Sequence, residues 1–257
     1  MGHMKGAAGA LYVDDGGSGA GTPVVFVHSL GGDTAQWSAQ LEHVRPRRRA
    51  VALDLRGHGR STLTSSAKDI SMEAFAGDLG AVVDGLGLSR VVLVGHSLGG
   101  AVCAAWAGAH PERVAGLFLL DPASDGRSVP PEQAQGMMAA LATEQWRDAV
   151  GEYWQSLLPA STPEVRERVM AQMGRTAQGA FRAGMEALLT FDPESALKRY
   201  PGPILSVITP LNESPGAYHV LVPGIPFKLV TGTGHWVQLD APEQVNALLD
   251  AFLSTVP

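Results

Sequence analysis

The segment Val94-Gly95-His96-Ser97-Leu98-Gly99-Gly100 sets a serine between two glycines, directly after the apolar run 91–94 and directly before a stretch with helical spacing. A serine on such a strand-to-helix turn is pushed out at the top of a sheet, and its neighbours must be small because backbones pass close by. The helix beginning there aims free N–H groups and the positive end of its dipole at the point where negative charge would develop on a substrate oxygen. The chemistry implied is nucleophilic attack by Ser97 on a carbonyl carbon.

A serine hydroxyl is a weak nucleophile at neutral pH and needs an adjacent base, here a histidine held by a carboxylate. Of the eight histidines, His235 has the fitting context. It lies in the loop Thr231-Gly232-Thr233-Gly234-His235-Trp236, just after the last apolar run, and it follows Ser97 in chain order as this architecture requires. The others have plainer readings. His3 belongs to Met1-Gly-His-Met4, which reads as a cloning remnant and is set aside from the fold. His43 and His110 fall in helix-like segments, His58 in a structural turn, and His96 precedes the serine with its side chain directed away.

The elements that must position these residues are legible as apolar runs at 24–27, 50–53, 91–94, 117–120, 204–208 and 227–230, each ended by glycine, proline or aspartate or by a polar loop. Continuous rather than alternating apolar runs suit strands buried on both faces of a parallel sheet. Segments 71–86, 99–109 and 242–253 carry apolar residues at helical spacing between or after them, as crossover connections require. The fold class is α/β, doubly wound and mostly parallel. From 125 to 200 no strand is expected, and helices are predicted at 131–142, 145–158, 163–174 and 178–189, with proline or glycine near their ends. That region reads as a helical cap inserted into a core domain made of 5–124 and 201–257.

Several motifs together resemble the alpha/beta-hydrolase superfamily. They are His28-Ser29-Leu30-Gly31-Gly32, Asp54-Leu55-Arg56-Gly57-His58-Gly59-Arg60-Ser61, the Gly95–Gly100 turn, and Gly234-His235-Trp236 followed by Asp240-Ala241-Pro242-Glu243. The resemblance implies an eight-stranded sheet, Ser97 as nucleophile, His235 as base, and an oxyanion hole built from the backbone N–H groups of Leu30 and Leu98. The pattern His28-Ser29-Leu30-Gly31 is similar to that of enol-lactonases of aromatic catabolism.

The acid is where the chain departs from that family. The usual position follows the run 204–208, where the sequence reads Thr209-Pro210-Leu211-Asn212-Glu213, so that Asn212 occupies the expected register. Some members carry the acid at the end of the preceding strand, where Leu119-Leu120-Asp121-Pro122 supplies one. Asp121 is favoured, with Glu213 and Asp125 as alternatives. Asp240 is read as the cap of the last helix, Asp78 and Asp84 as solvated or helix-pairing residues, and Cys103 as a buried hydrophobe. Trp154, Met185 and Trp236 are the residues expected to contact substrate.

Composition narrows the rest. Hydrophobic residues make up 45% and charged residues 17%, ample for a sizeable core. With 19 basic against 25 acidic side chains the net charge is −6, which argues against nucleic acid as a partner. A single cysteine allows no intrachain disulfide and makes the cytoplasm the default location. No apolar stretch is long enough for a membrane span. No His-x-x-x-His or Cys-x-x-Cys pair occurs, so neither metal nor other cofactor is expected. These readings converge on a serine hydrolase of small carboxylic esters or lactones. Carbon–carbon bond hydrolysis or cofactor-free perhydrolysis is the enzymatic rival, and a small-molecule receptor on the same scaffold is the non-enzymatic one.

Overall fold

Along the strand Val91–His96, Val91 and Leu93 enter one apolar core while Val92 and Val94 enter another. Burial on both faces is what makes such runs continuous instead of alternating. In the computed structural model, which describes residues 1–62 and 69–256, this strand is the fifth of eight: β1 (Gly2–Gly6), β2 (Gly9–Gly16), β3 (Val24–Val27), β4 (Ala50–Leu53), β5 (Val91–His96), β6 (Val114–Leu120), β7 (Ile204–Ile208) and β8 (Phe227–Leu229). They form a single sheet in the order β1-β2-β4-β3-β5-β6-β7-β8. Pairing is parallel from β4 to β8 and antiparallel at β1 and β2.

Helices α1 (Ser38–Val44) and α11 (Pro242–Leu253) cover one face, where Leu41, Val245 and Leu249 join Val92 and Val94. Helices α2 (Met72–Gly85) and α3 (Leu98–Ala109) cover the other through Phe75, Leu79 and Val102. Ser71 starts α2 by accepting a hydrogen bond from Ala74 N–H, which satisfies one of the free donors of the first turn. Between β6 and β7 lie five helices: α4 (Pro131–Ala140), α5 (Trp146–Ser156), α6 (Pro163–Met173), α7 (Gln178–Thr190) and α8 (Pro193–Arg199). Two short helices follow, α9 (Tyr218–Leu221) and α10 (Val237–Asp240).

Four expectations require correction. Residues 2–4, set aside from the fold with Met1, belong to it: they lie in β1, an edge strand in register with β2, with Met4 opposite Leu11. Neither β1 nor β2 was legible as a strand, because both are rich in glycine and polar residues. Helix α8 was also missed; at seven residues it is too short to show a period, though Asp192 caps it through Ser195 N–H. Asp78 is fully buried and bound to Arg56, not solvated. Asp240 does not cap α11, whose N-cap is Ala241 without a side-chain bond.

Candidate active site

Ser97 sits between β5 and α3 with φ +53°, in the left-handed region that non-glycine residues rarely occupy. The surrounding glycines are obligatory for steric reasons. A Cβ on Gly95 would run into the Gly99 backbone, and one on Gly99 would strike the Val27 carbonyl. The turn is tied to the end of β6, since Ser97 N–H donates to Leu120 O at 3.2 Å and Ala123 N–H donates to Ser97 O at 3.2 Å. Leu98 is the first residue of α3, and its N–H has no hydrogen-bond partner among the described residues; nor has that of Leu30. Both leucines are buried, and Leu30 lines the same cavity as Ser97.

The His235 ring lines this cavity too, and its Nδ1 meets Asp121 Oδ2 at 2.6 Å. With Nδ1 committed to the carboxylate, Nε2 is the ring nitrogen left for the serine. Asp121 follows β6 directly, with φ +40° and no solvent exposure. Its carboxylate also accepts from Thr209 N–H at 2.8 Å and from the Thr209 hydroxyl at 3.0 Å. Glu213 is exposed, and Asp125 is bound to Arg127 at 2.8 Å and 2.9 Å. Asn212 does not reach the histidine; its amide donates to Pro122 O at 2.6 Å. Of the three carboxylates that competed for His235, Asp121 is the one that contacts it.

The backbone around His235 is held from three sides. His235 N–H donates to Leu157 O at 2.8 Å, and its carbonyl receives a bond from His96 Nε2 at 2.9 Å. Gln238 donates to His96 Nδ1 at 3.1 Å, so His96 carries its proton on Nε2. Burial, reinforced by the neighbouring His235 ring, holds His96 well below the usual imidazole range, which keeps it neutral. One residue earlier, Gly234 N–H donates to Asp240 Oδ2 at 2.9 Å, and the same oxygen accepts from Ser161 Oγ at 2.7 Å. Asp240 therefore ties the histidine loop to the helical segment. Thr209, His96, Gln238 and Asp240 were not recognised as site residues from the sequence, because their partners are remote in the chain.

Leu30 is fixed by a second network. Ser29 Oγ donates to Gln36 Oε1 at 3.1 Å and accepts from Trp236 Nε1 at 3.3 Å, while Gln36 continues to Gln172 on α6 at 3.1 Å. Trp236 is thus buried and hydrogen-bonded as well as forming part of the cavity wall. The cavity has a volume of about 440 Å³, and Trp154 on α5 and Met185 on α7 line it together with Ser97. A wider surface hollow bordered by Tyr200, Ile225 and Phe252 has no serine, histidine or carboxylate among the described residues that line it.

A sheet of this order, a serine turn after β5 and a histidine loop after β8 define a hydrolase architecture. The chain belongs to the alpha/beta hydrolase fold family, whose model matches residues 22–242. It is 29% identical over 250 residues to the dihydrolipoyllysine-residue acetyltransferase component of the acetoin cleaving system of Pseudomonas putida, covering 93% of this chain and 65% of that protein. The chain therefore spans about two thirds of that relative's length. Among solved structures, a thermophilic esterase from Thermogutta terrifontis superposes with a TM-score of 0.86 at 26% identity, covering 99% of this chain and 98% of that one. The enol-lactonase from Burkholderia xenovorans LB400 superposes with a TM-score of 0.85 at 20% identity, covering 98% of this chain and all of that one. Among the described residues no helix is long and apolar enough to cross a membrane.

Proposed function

We propose that the protein is a serine hydrolase that cleaves a small carboxylic ester or lactone through an acyl-enzyme intermediate. The observation that carries this reading is the 2.6 Å bond between His235 Nδ1 and Asp121 in a cavity that also contains Ser97. Ser97 Oγ attacks the carbonyl carbon as His235 Nε2 takes its proton, and Asp121 stabilises the imidazolium that forms. The N–H groups of Leu30 and Leu98 hold the developing oxyanion. His235 then returns the proton to the leaving alcohol and activates the water that releases the acid. For a lactone the leaving alcohol stays attached, and the product is a hydroxy acid.

In this reading residues 125–200 act as a cap over the core domain, and Trp154, Met185 and Trp236 shape the acyl pocket. The solved esterase of similar fold, at 26% identity, supports ester cleavage. The test is labelling by a fluorophosphonate together with turnover of a p-nitrophenyl ester by Ser97→Ala. Wild type should be labelled at Ser97, and the variant should remain folded and lose activity. A folded variant with most of the wild-type turnover would overturn the mechanism.

A further inference from the structure

The cavity that holds Ser97 and His235 is chemically uneven. Much of its wall is apolar, with Met137, Met185, Leu188 and Leu211 among the lining side chains, but Ser124, Asn212 and Ser214 make one part of it polar. The hydrogens of that polar part can be counted. Pro122 O can only accept, so the Asn212 amide nitrogen faces it, at 2.6 Å. This turns Asn212 Oδ1 to Ser124, whose single hydroxyl hydrogen goes to it at 2.5 Å. Ser124 Oγ then has no hydrogen left, and its 3.1 Å contact with Ser214 Oγ requires Ser214 to be the donor. Ser128, also in the wall, gives its hydrogen to Asp125 O at 2.6 Å. These three hydroxyls offer lone pairs only.

Charge points the same way. Among the described residues no lysine or arginine lines the cavity, and its two carboxylates are occupied, Asp121 by His235 and Thr209 and Asp125 by Arg127. A substrate carboxylate entering here would lose its hydration, meet no lining cation and lie near the Asp121 carboxylate, the Arg127 guanidinium being already spent on Asp125. Apart from the Ser97 hydroxyl and the Leu30 and Leu98 N–H groups assigned to the oxyanion, the uncommitted side-chain donors of the wall, one Asn212 N–H, the Trp154 indole N–H and the Tyr153 hydroxyl, are neutral and do not compensate for a full charge. A substrate hydroxyl or amide N–H, by contrast, would complete the hydrogen bonding of the serine oxygens, which otherwise face apolar surroundings once water is displaced.

We propose that this cavity selects uncharged esters or lactones bearing a hydroxyl or amide N–H, which the Ser124 and Ser214 oxygens accept. The inference rests on the serine-hydrolase reading. It is tested with the purified protein on matched phenyl esters whose three- to six-carbon acyl chains end in a hydroxyl, a methoxy or a carboxylate group, and on the same groups placed on the leaving alcohol. In the preferred position the hydroxyl compound should exceed its methoxy analogue about tenfold in kcat/KM, the scale of one neutral hydrogen bond. The carboxylate analogue should fall about a hundredfold below it, as an unpaired charge demands. Ser214→Ala should bring the hydroxyl-to-methoxy ratio close to one. A carboxylate ester turned over as well as the hydroxyl ester, or a ratio unchanged in Ser214→Ala, would overturn the inference and leave the hydrolase reading standing. Equal turnover of these esters by Ser97→Ala would overturn both.

Discussion

Asp121 and Thr209 stand at the ends of neighbouring parallel strands and are joined twice, by the Thr209 N–H to Oδ1 at 2.8 Å and by its hydroxyl to Oδ2 at 3.0 Å. Oδ2 also meets His235. Three donors fix the plane of the carboxylate, so the orientation of the histidine ring is set from a strand end rather than from a loop. The left-handed backbone of Asp121 persists because its N–H is also held by Val207 O at 2.6 Å.

Asp121→Asn should therefore lower kcat by about 10³–10⁴-fold, as loss of a triad aspartate does where its role has been measured. Glu213→Gln, at an exposed side chain without contact to the histidine, should cost less than about twofold. Steady-state kinetics on one ester compare the two. The reverse ranking would move the acid to Glu213.

Thr209 acts through Asp121 as a positioning residue. Thr209→Val keeps the backbone donor and removes the hydroxyl, for an expected drop in kcat of about 10–100-fold with KM nearly unchanged, the scale of one hydrogen bond to a charged group. Thr209→Ser should restore most of the loss. A change confined to KM, or no rescue by serine, would argue for a merely structural role.

Stability should fall as the pH drops below about 6.5, the unfolded value for histidine. Burial pushes His58 down to about 3 and holds His96 well below its ordinary range. In that window the unfolded chain binds protons that the folded chain does not, so each of these histidines weakens folding by up to tenfold per pH unit. Urea unfolding at pH 8, 6 and 5 reads the slope, and His58→Gln should reduce it. An unchanged slope would show that His58 is already protonated in the native state.

Arg56 and Asp78 form a buried ion pair at 2.7 Å, closed by two further bonds from Arg56 to the same carboxylate. Arg56→Ala should cost about 3–5 kcal/mol by leaving a buried charge unpaired, measured by denaturant unfolding. The double substitution Arg56→Met with Asp78→Leu should recover much of that loss. Equal destabilisation by the double variant would mean that local packing dominates over charge.

Some features leave marks in local sequence because the backbone itself demands particular residues. Gly95 and Gly99 flank Ser97 because a Cβ at either would collide with neighbouring backbone. The runs of β3 to β7 are continuously apolar because both faces are covered by helices, and α6 and α11 open with Pro163 and Pro242 at their first positions. The loop holding His235 stood out by its glycines and by its place after the last apolar run.

Only the tertiary structure decided which partners meet across the chain. His235 and Asp121 lie 114 positions apart, and Thr209 lies 88 from Asp121, so nothing in the residues near any one of them specifies the contact. The same holds for Asp240 with Ser161, 79 positions away, and for Asp78 with Arg56, where charge alone suggested a solvated helix face. The edge strand β1 is held by pairing with β2 and not by a pattern of its own. Chain geometry and burial act residue by residue and so are written locally, whereas hydrogen-bond partnership depends on where strand ends and loops come to rest in the assembled sheet.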